Sequence, residues 1–180
     1  MREGNLDFDF GASWKVLKYD ESGGFYKTKM DKNVKLTKAI DFLCIPQNHQ
    51  PLHLMEAKDF SLGVPHREKF DNVPMAVAQK ARDTVAGIVG GSHSASDAGD
   101  RAFFTYSRQK LEYPPRIVFF FSDLDTPGRR HPKRALNKRD VLFKQLKRHL
   151  SWLTRDIVVV GLDDYGAFVS DLTIRRVQRV

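Results

Sequence analysis

Residues 35–60 read KLTKAIDFLCIPQNHQPLHLMEAKDF, and this stretch decides the expected fold. Two apolar runs, residues 39–45 and 52–57, flank a polar loop that has a proline at each end. Short apolar runs bounded by turn residues are typical of β-strands, and a short loop between them predicts a hairpin. If the hairpin folds symmetrically about this loop, with Ile45 opposite Leu52, then Asp41 lies opposite Glu56.

The predicted register brings two carboxylates together in an apolar setting. Opposed residues of an antiparallel pair have Cβ atoms roughly 4.5–5.5 Å apart on one face, and Lys58 joins that face because side chains alternate. Two buried carboxylates at this distance repel each other and lose hydration. A divalent cation would remove the conflict, whereas a nearby ammonium would relieve part of it. Mg²⁺ prefers one or two carboxylates together with water and substrate phosphate, so the pattern predicts a magnesium site.

The competing interpretation of this face is an ordinary solvated surface on which Lys58 simply pairs with Glu56. Leu43 and Leu54 share the predicted face with the charged residues, which is unusual for a surface that is fully wet. This pattern favours the functional site over the solvated surface.

The motif of Asp41, fourteen intervening residues and then Glu56-Ala57-Lys58 resembles the signature of the PD-(D/E)XK nuclease superfamily. The resemblance implies an α/β fold with a mixed central β-sheet flanked by helices, the restriction-endonuclease-like core. It implies hydrolysis of nucleic-acid phosphodiesters with Mg²⁺ as cofactor and Mn²⁺ as a substitute. It also implies that Asp41, Glu56 and the Ala57 backbone carbonyl hold the metal and that Lys58 is the catalytic lysine.

Members of this superfamily often place a further acid on the helix before the hairpin. Ser13 is a suitable N-cap for a short helix over residues 14–19, so the resemblance makes Asp20 the expected additional metal ligand. The alternative is that Asp20 is an ordinary turn residue near Gly23 and Gly24. The sequence leaves both interpretations open.

Composition restricts the class of protein and its partners. The length of 180 residues suits one domain over residues 1–180, and 30 Lys and Arg against 22 Asp and Glu give a net charge of +8 that favours polyanionic partners. The single cysteine, Cys44, predicts a reducing cytoplasmic setting without an internal disulfide. No stretch approaches the roughly 20 apolar residues of a membrane helix, so no membrane partner is expected. Patterns for zinc, Walker-type or dinucleotide sites are absent from the sequence.

Residues expected to contact nucleic acid lie after the hairpin. A helix is predicted over residues 72–90 and is expected to end at Gly90 and Gly91. Residues 129–148 carry nine Lys and Arg against Asp140 alone, and the second half of this segment has the leucine spacing of an amphipathic helix. A basic helix face that is merely solvated explains the segment equally well. The candidate contacts are Arg67, Gln79, Lys80, Arg129, Arg130, Lys133 and Arg134.

Two alternatives to a nuclease stay open. One is a catalytically idle nucleic-acid-binding or assembly module with the same fold. The other is a phosphatase, because Asp123 and Asp125 follow an apolar strand in a motif that resembles the nucleophile motif of haloacid-dehalogenase-like phosphatases. The 57 residues after Asp123 are too few for the parallel sheet of that class. The sequence therefore predicts a Mg²⁺-dependent deoxyribonuclease, with a homodimer expected by analogy.

Overall fold

The predicted hairpin forms the middle of a mixed β-sheet. The computed structural model describes residues 1–21, 23–47, 50–59, 72–122, 132–162 and 164–177, with side chains of the last long helix described from residue 138 onward. A π-helical turn, Tyr26–Met30, leads into the first helix, and a 3-10 turn, Tyr165–Ala167, precedes the last strand. The elements in chain order are β1 (Arg2–Glu3), β2 (Leu6–Phe10), β3 (Trp14–Lys18), α1 (Asp31–Asn33), β4 (Phe42–Pro46), β5 (His53–Asp59), α2 (Val73–Ser94), α3 (Ala98–Lys110), β6 (Arg116–Ser122), α4 (Pro132–Leu150), β7 (Ile157–Val160) and β8 (Leu172–Arg176).

The large sheet has five strands in the order β3-β4-β5-β6-β7. The pairs β3–β4 and β4–β5 are antiparallel, whereas the pairs β5–β6 and β6–β7 are parallel. A second, antiparallel sheet has the order β1-β2-β8. The chain is thus a single α/β domain with a mixed sheet, as the sequence predicts.

The register of the hairpin is the one predicted. Phe42 lies opposite Met55, and Cys44 lies opposite His53. This pairing is the register in which Ile45 faces Leu52, so Asp41, one residue before β4, lies opposite Glu56.

The two faces of the large sheet have different coverings. Successive strand residues point to opposite faces. Leu43, Leu54 and Phe119 belong to a core that also contains buried residues of α2 and α4, and we call this side the helix-covered face. Their neighbours Phe42 and Met55 belong to a core with β2 and β8, and we call this side the small-sheet face. The leucine spacing predicts that Leu142, Leu146, Leu150 and Leu153 face inward on this helix. The first three are buried, whereas Leu153 lies beyond the end of α4 and is half-buried.

The helix expected over residues 14–19 is wrong. Trp14–Lys18 is a strand that pairs along its whole length with β4. Five residues are too few for a stable helix without packing, and the exposed edge of β4 supplies the hydrogen bonds of a ladder instead. Ser13 caps no helix, because its hydroxyl donates to Asp171 Oδ2 at 2.6 Å.

The helix stop expected at Gly90 and Gly91 is also wrong, since α2 continues to Ser94. A Cβ atom on Gly91 would lie 2.5 Å from the ring of Phe104 on α3. The glycine therefore permits a close approach of two helices and does not end one. Within the described residues, no helix combines the length and apolarity needed to cross a bilayer.

Candidate active site

The two acids of the predicted motif lie buried at one end of the hairpin. Asp41 is 1% exposed and Glu56 is 0% exposed. The backbone oxygen of Asp41 accepts a hydrogen bond from the Tyr19 amide at 3.0 Å, and its Oδ2 accepts one from the Ala57 amide at 2.7 Å. Strands on both sides therefore fix the Asp41 carboxylate beside β5.

Lys80 of α2 bridges the two carboxylates. Its Nζ lies 3.2 Å from Asp41 Oδ1 and 2.8 Å from each carboxylate oxygen of Glu56. Both acids thus point to the helix-covered face and lie close enough to share one cation. Lys80 therefore lies between the two acids, whereas the sequence indicates it only as a candidate nucleic-acid contact.

Lys58 joins the same face, as its position in β5 predicts. Its Nζ lies 2.6 Å from Glu56 Oε1, and its side chain is 36% exposed. Lys58 is therefore the most exposed of these four side chains, and Glu56 accepts from two ammonium groups. The ion pair that the solvated-surface interpretation expected between Lys58 and Glu56 is present, but its carboxylate is fully buried.

The Ala57 carbonyl points toward the same end of the hairpin. In a strand, the N–H and C=O of one residue point to the same side, because opposed residues exchange both hydrogen bonds. The Ala57 amide is directed at the Asp41 side chain, so its carbonyl faces the space beyond the start of β4. The geometry is compatible with the expected backbone ligand.

Burial raises the pKa of the Glu56 carboxyl to about 7, and the nearby Asp41 carboxylate adds to the rise, although Lys80 and Lys58 oppose it. For Lys80, burial lowers the pKa, but the attraction of Glu56 and Asp41 more than offsets burial and the net shift is upward. Burial and the repulsion of Asp41 thus favour a proton on Glu56, and the two carboxylates favour the charged form of Lys80.

Asp20 also reaches the cluster, although from a turn after β3 and not from a helix. One carboxylate oxygen each from Glu3, Asp20 and Asp41 lie within 4.8 Å of one another. Lys18 Nζ lies 3.1 Å from Glu3 Oε2 and 2.9 Å from Asp20 Oδ1. Burial lowers the pKa of Lys18, but its bonds to Asp20 and Glu3 raise it overall. No local pattern in the sequence indicates Glu3, which reaches the cluster because β1 pairs with β2 in the small sheet.

Acids and lysines alternate through the whole cluster. Its four carboxylates and three ammonium groups leave one net negative charge (4 − 3), and most of these groups are buried or half-buried. Carboxylate oxygens are the ligands that Mg²⁺ prefers, so the donor set fits a hard divalent cation. The members are Glu3, Lys18, Asp20, Asp41, Glu56, Lys58 and Lys80.

Two further residues of α2 position Asp41. Asp83 Oδ2 accepts from the Lys38 amide at 2.9 Å, and Thr84 Oγ1 accepts from the Ile40 amide at 3.1 Å. These bonds anchor the segment that leads into Asp41. The sequence held a signal for them, because both are polar residues next to or within the apolar stripe of the helix.

The other expected contacts are only partly placed. Gln79 is half-buried beside Lys80 on α2. Lys133 and Arg134 belong to α4, which packs on the helix-covered face, but their side chains lie outside the described set. The positions outside the described residues are Arg67, Asp123, Asp125, Arg129 and Arg130.

Comparison of this chain with models of protein families, with curated proteins and with solved structures returned no match.

Proposed function

We propose that this protein is a cytoplasmic, Mg²⁺-dependent nuclease with a restriction-endonuclease-like core that hydrolyses phosphodiester bonds in DNA. The observation that supports the proposal most strongly is the buried pair of Asp41 and Glu56 in the mixed sheet, which both contact the ammonium group of Lys80. Burying two carboxylates together is costly, and a packed apolar pair would stabilise the fold at least as well. A role in catalysis therefore explains the buried carboxylate pair better than a role in stabilising the fold.

In the proposed reaction, Asp41, Glu56 and the Ala57 carbonyl would hold the metal, and Asp20 and Glu3 would offer further carboxylate oxygens. Bound Mg²⁺ would lower the pKa of a coordinated water and stabilise charge on a phosphoryl oxygen. Lys58, the solvent-accessible lysine, orients the attacking water through its Nζ. The water oxygen forms a bond to phosphorus, the ester P–O bond breaks, and the leaving oxygen gains a proton in exchange for the one that the water loses.

A plasmid-cleavage assay tests this proposal. Wild-type protein should cut supercoiled DNA with Mg²⁺ and should not cut it with EDTA. Glu56→Gln and Lys58→Ala should each lose cleavage by about two orders of magnitude or more, the usual effect of removing a catalytic group. Lys15→Ala removes an exposed lysine near the other end of β4 and should cut like wild type. Cleavage that is insensitive to EDTA, or that survives in Glu56→Gln, would contradict the proposal.

One observation favours the second candidate, a catalytically idle nucleic-acid-binding module. Lys80 already supplies a cation between Asp41 and Glu56, so the pair is compensated within the chain itself. Calorimetric titration with Mn²⁺ separates the two candidates. The nuclease proposal expects the wild type to bind Mn²⁺ and Glu56→Gln to lose this binding. The idle module would bind DNA but would neither bind Mn²⁺ nor cut the DNA.

A further inference from the structure

The segment that leads into Asp41 is unusually rich in exposed lysine. Residues 27–38 read KTKMDKNVKLTK, and we call them the lysine segment. All five lysines are exposed, and four of them recur at every third position. Lys27 pairs with the only acid, Asp31, at 2.9 Å. The remaining four form no ion pair with any other part of the chain that the structure describes: Lys29, Lys32, Lys35 and Lys38.

An apolar side chain projects from the same segment. Leu36 is 93% exposed, and its φ of +67° lies in the left-handed region. A bulky residue rarely adopts this conformation, and such outliers persist only where the surroundings enforce them. Val34, two residues earlier, is also exposed. Neither side chain contributes to the core, so burial within this chain does not explain the strained backbone.

The lysine segment is held firmly at both ends. The Val34 amide donates to the Met30 carbonyl at 2.8 Å, and the buried Tyr26 hydroxyl donates to the Thr37 carbonyl at 2.8 Å. The Lys38 amide is bound by Asp83 of α2. These anchors present Leu36 and the lysines in a fixed arrangement, which lowers the entropy cost of binding a partner.

The segment also ends next to the acid cluster. Only Ala39 and Ile40, both buried, separate Lys38 from Asp41. Three residues of extended chain span roughly 10 Å, so a polyanion that lies on the lysine segment is carried directly toward the Asp41 carboxylate.

We propose that the lysine segment is a nucleic-acid-binding surface, in which the lysines contact backbone phosphates and Leu36 packs against the bases. Lysine contacts to phosphate give affinity without sequence preference, and apolar side chains are used to wedge between base steps. The role in delivering substrate rests on the proposed nuclease, whereas binding itself does not. An anionic membrane is the less favoured partner, because surface binding scales with buried apolar area and only Val34 and Leu36 project here.

The test compares two triple variants that remove the same charge. One is Lys29→Ala/Lys32→Ala/Lys35→Ala, and the matched control is Lys144→Ala/Lys147→Ala/Arg148→Ala on the exposed side of α4. Binding of a labelled DNA duplex is measured by fluorescence anisotropy in EDTA over a range of salt concentrations. Three lost phosphate contacts should reduce the slope of log K against log salt by about 2.7 and weaken binding by at least about tenfold at low salt. The control should keep the wild-type slope.

Other outcomes of these assays would overturn the proposed surface. It is excluded if both triple variants lose the same affinity, if only the α4 variant loses it, or if the wild type binds phosphatidylserine vesicles and not DNA. Lysine-dependent binding without cleavage would overturn the nuclease and leave the surface in place. Cleavage that persists in the lysine-segment variant at wild-type KM would do the reverse.

Leu36 has its own test. Leu36→Gly and Leu36→Asn replace leucine with residues that adopt positive φ readily, so neither should lower the unfolding midpoint. Both should weaken DNA binding by about fivefold and leave the salt slope unchanged, because an apolar base contact releases no counterion. Wild-type affinity in both variants would remove Leu36 from the binding surface.

Discussion

The two faces of the central sheet are built from the same strands but bury different chemistry. On β5, Met55 and Ala57 enter the small-sheet face, whereas Glu56 between them enters the helix-covered face. The middle of the small-sheet face is apolar, with the ring of Phe8 centred 4.9 Å from Phe42 and 5.6 Å from Phe120. The helix-covered face is also apolar along most of its length but contains a charged cluster at one end. The difference indicates that one face is purely a packing surface, whereas the other also contains the charged candidate site.

The largest expected effect is on the apolar face. Phe120→Ala should lower the free energy of unfolding by about 3–5 kcal/mol, because it removes a fully buried ring and leaves a cavity between the sheets. The loss should be the same in mildly acidic and mildly basic buffer, since the ring packs among the apolar residues of this face and against the rings of Phe8 and Tyr165. Urea unfolding at both pH values measures it, with the exposed Phe168→Ala as control. A loss that depends strongly on pH would show that the faces are not independent.

Lys80→Met should cause a loss of stability that depends on pH, unlike that of Phe120→Ala. Removing the ammonium leaves two buried carboxylates without their shared cation, which should cost roughly 3 kcal/mol in mildly basic buffer. The cost should shrink below about pH 6, because Glu56 then takes up a proton. Lys144→Met makes the same substitution at an exposed helix position and should leave the midpoint unchanged. An equal loss at both pH values would mean that Lys80 acts only through packing.

The sequence predicted the hairpin, its register and one acid pair because all three depend on local pattern. Two prolines fix the ends of the loop, and alternation then determines which residues oppose each other. Lys80 could not be assigned its role in this way, since it lies 24 residues from Glu56 and its position depends on how α2 docks. The position of Glu3 near Asp41 could not be predicted either, because it depends on the packing of the second sheet.

Asp20 shows the limit of local pattern most clearly. Asp20 lies near Asp41 but follows a strand and not the expected helix, because the residues before it suit both a short helix and a strand. The free edge of β4 decides between them, and this edge is a tertiary feature that the segment itself does not encode.

Histidine and glutamate should make the two faces respond to acid in opposite directions. His53 lies at the end of the small-sheet face, where burial and then the nearby Arg116 lower its pKa to about 4, against the carbonyl of Pro51. The folded state therefore binds fewer protons than the unfolded state between about pH 4 and 6.5, and stability from this group is lost as pH falls. The raised pKa of Glu56 has the opposite sign: the folded state binds more protons, and stability rises as pH falls from about 7 toward 4.5.

Two variants separate these contributions. Glu56→Gln removes the Glu56 contribution and keeps that of His53. Its free energy of unfolding relative to wild type should therefore fall by roughly 2–3 kcal/mol as pH drops from about 7 toward 4.5. In His53→Asn, only the Glu56 effect remains, and stability relative to wild type should rise. Denaturant unfolding across the window gives both slopes. Parallel slopes in the two variants would contradict the assigned shifts.

The smallest effect concerns the anchor beneath Asp41. Thr84→Val keeps the shape of the side chain but leaves the buried Ile40 amide without its acceptor, which should cost about 1–2 kcal/mol. Because Ile40 precedes Asp41, cleavage should fall more than stability alone explains. Thr105→Val on α3, where the hydroxyl donates to the Arg101 carbonyl in an exposed hydrogen bond and the residue is half-buried, serves as the control. Full activity in Thr84→Val would show that this anchor does not position the acid.

The most direct test of the account is a crystal soaked in Mn²⁺ and examined by anomalous scattering. The account predicts one strong peak within coordinating distance of both Asp41 and Glu56, with the Nζ atom of Lys80 displaced from its place between them. A structure in which Lys80 stays between the two carboxylates without an anomalous peak would contradict the account. A peak held by Glu3 and Asp20 that leaves out Glu56 would contradict it as well.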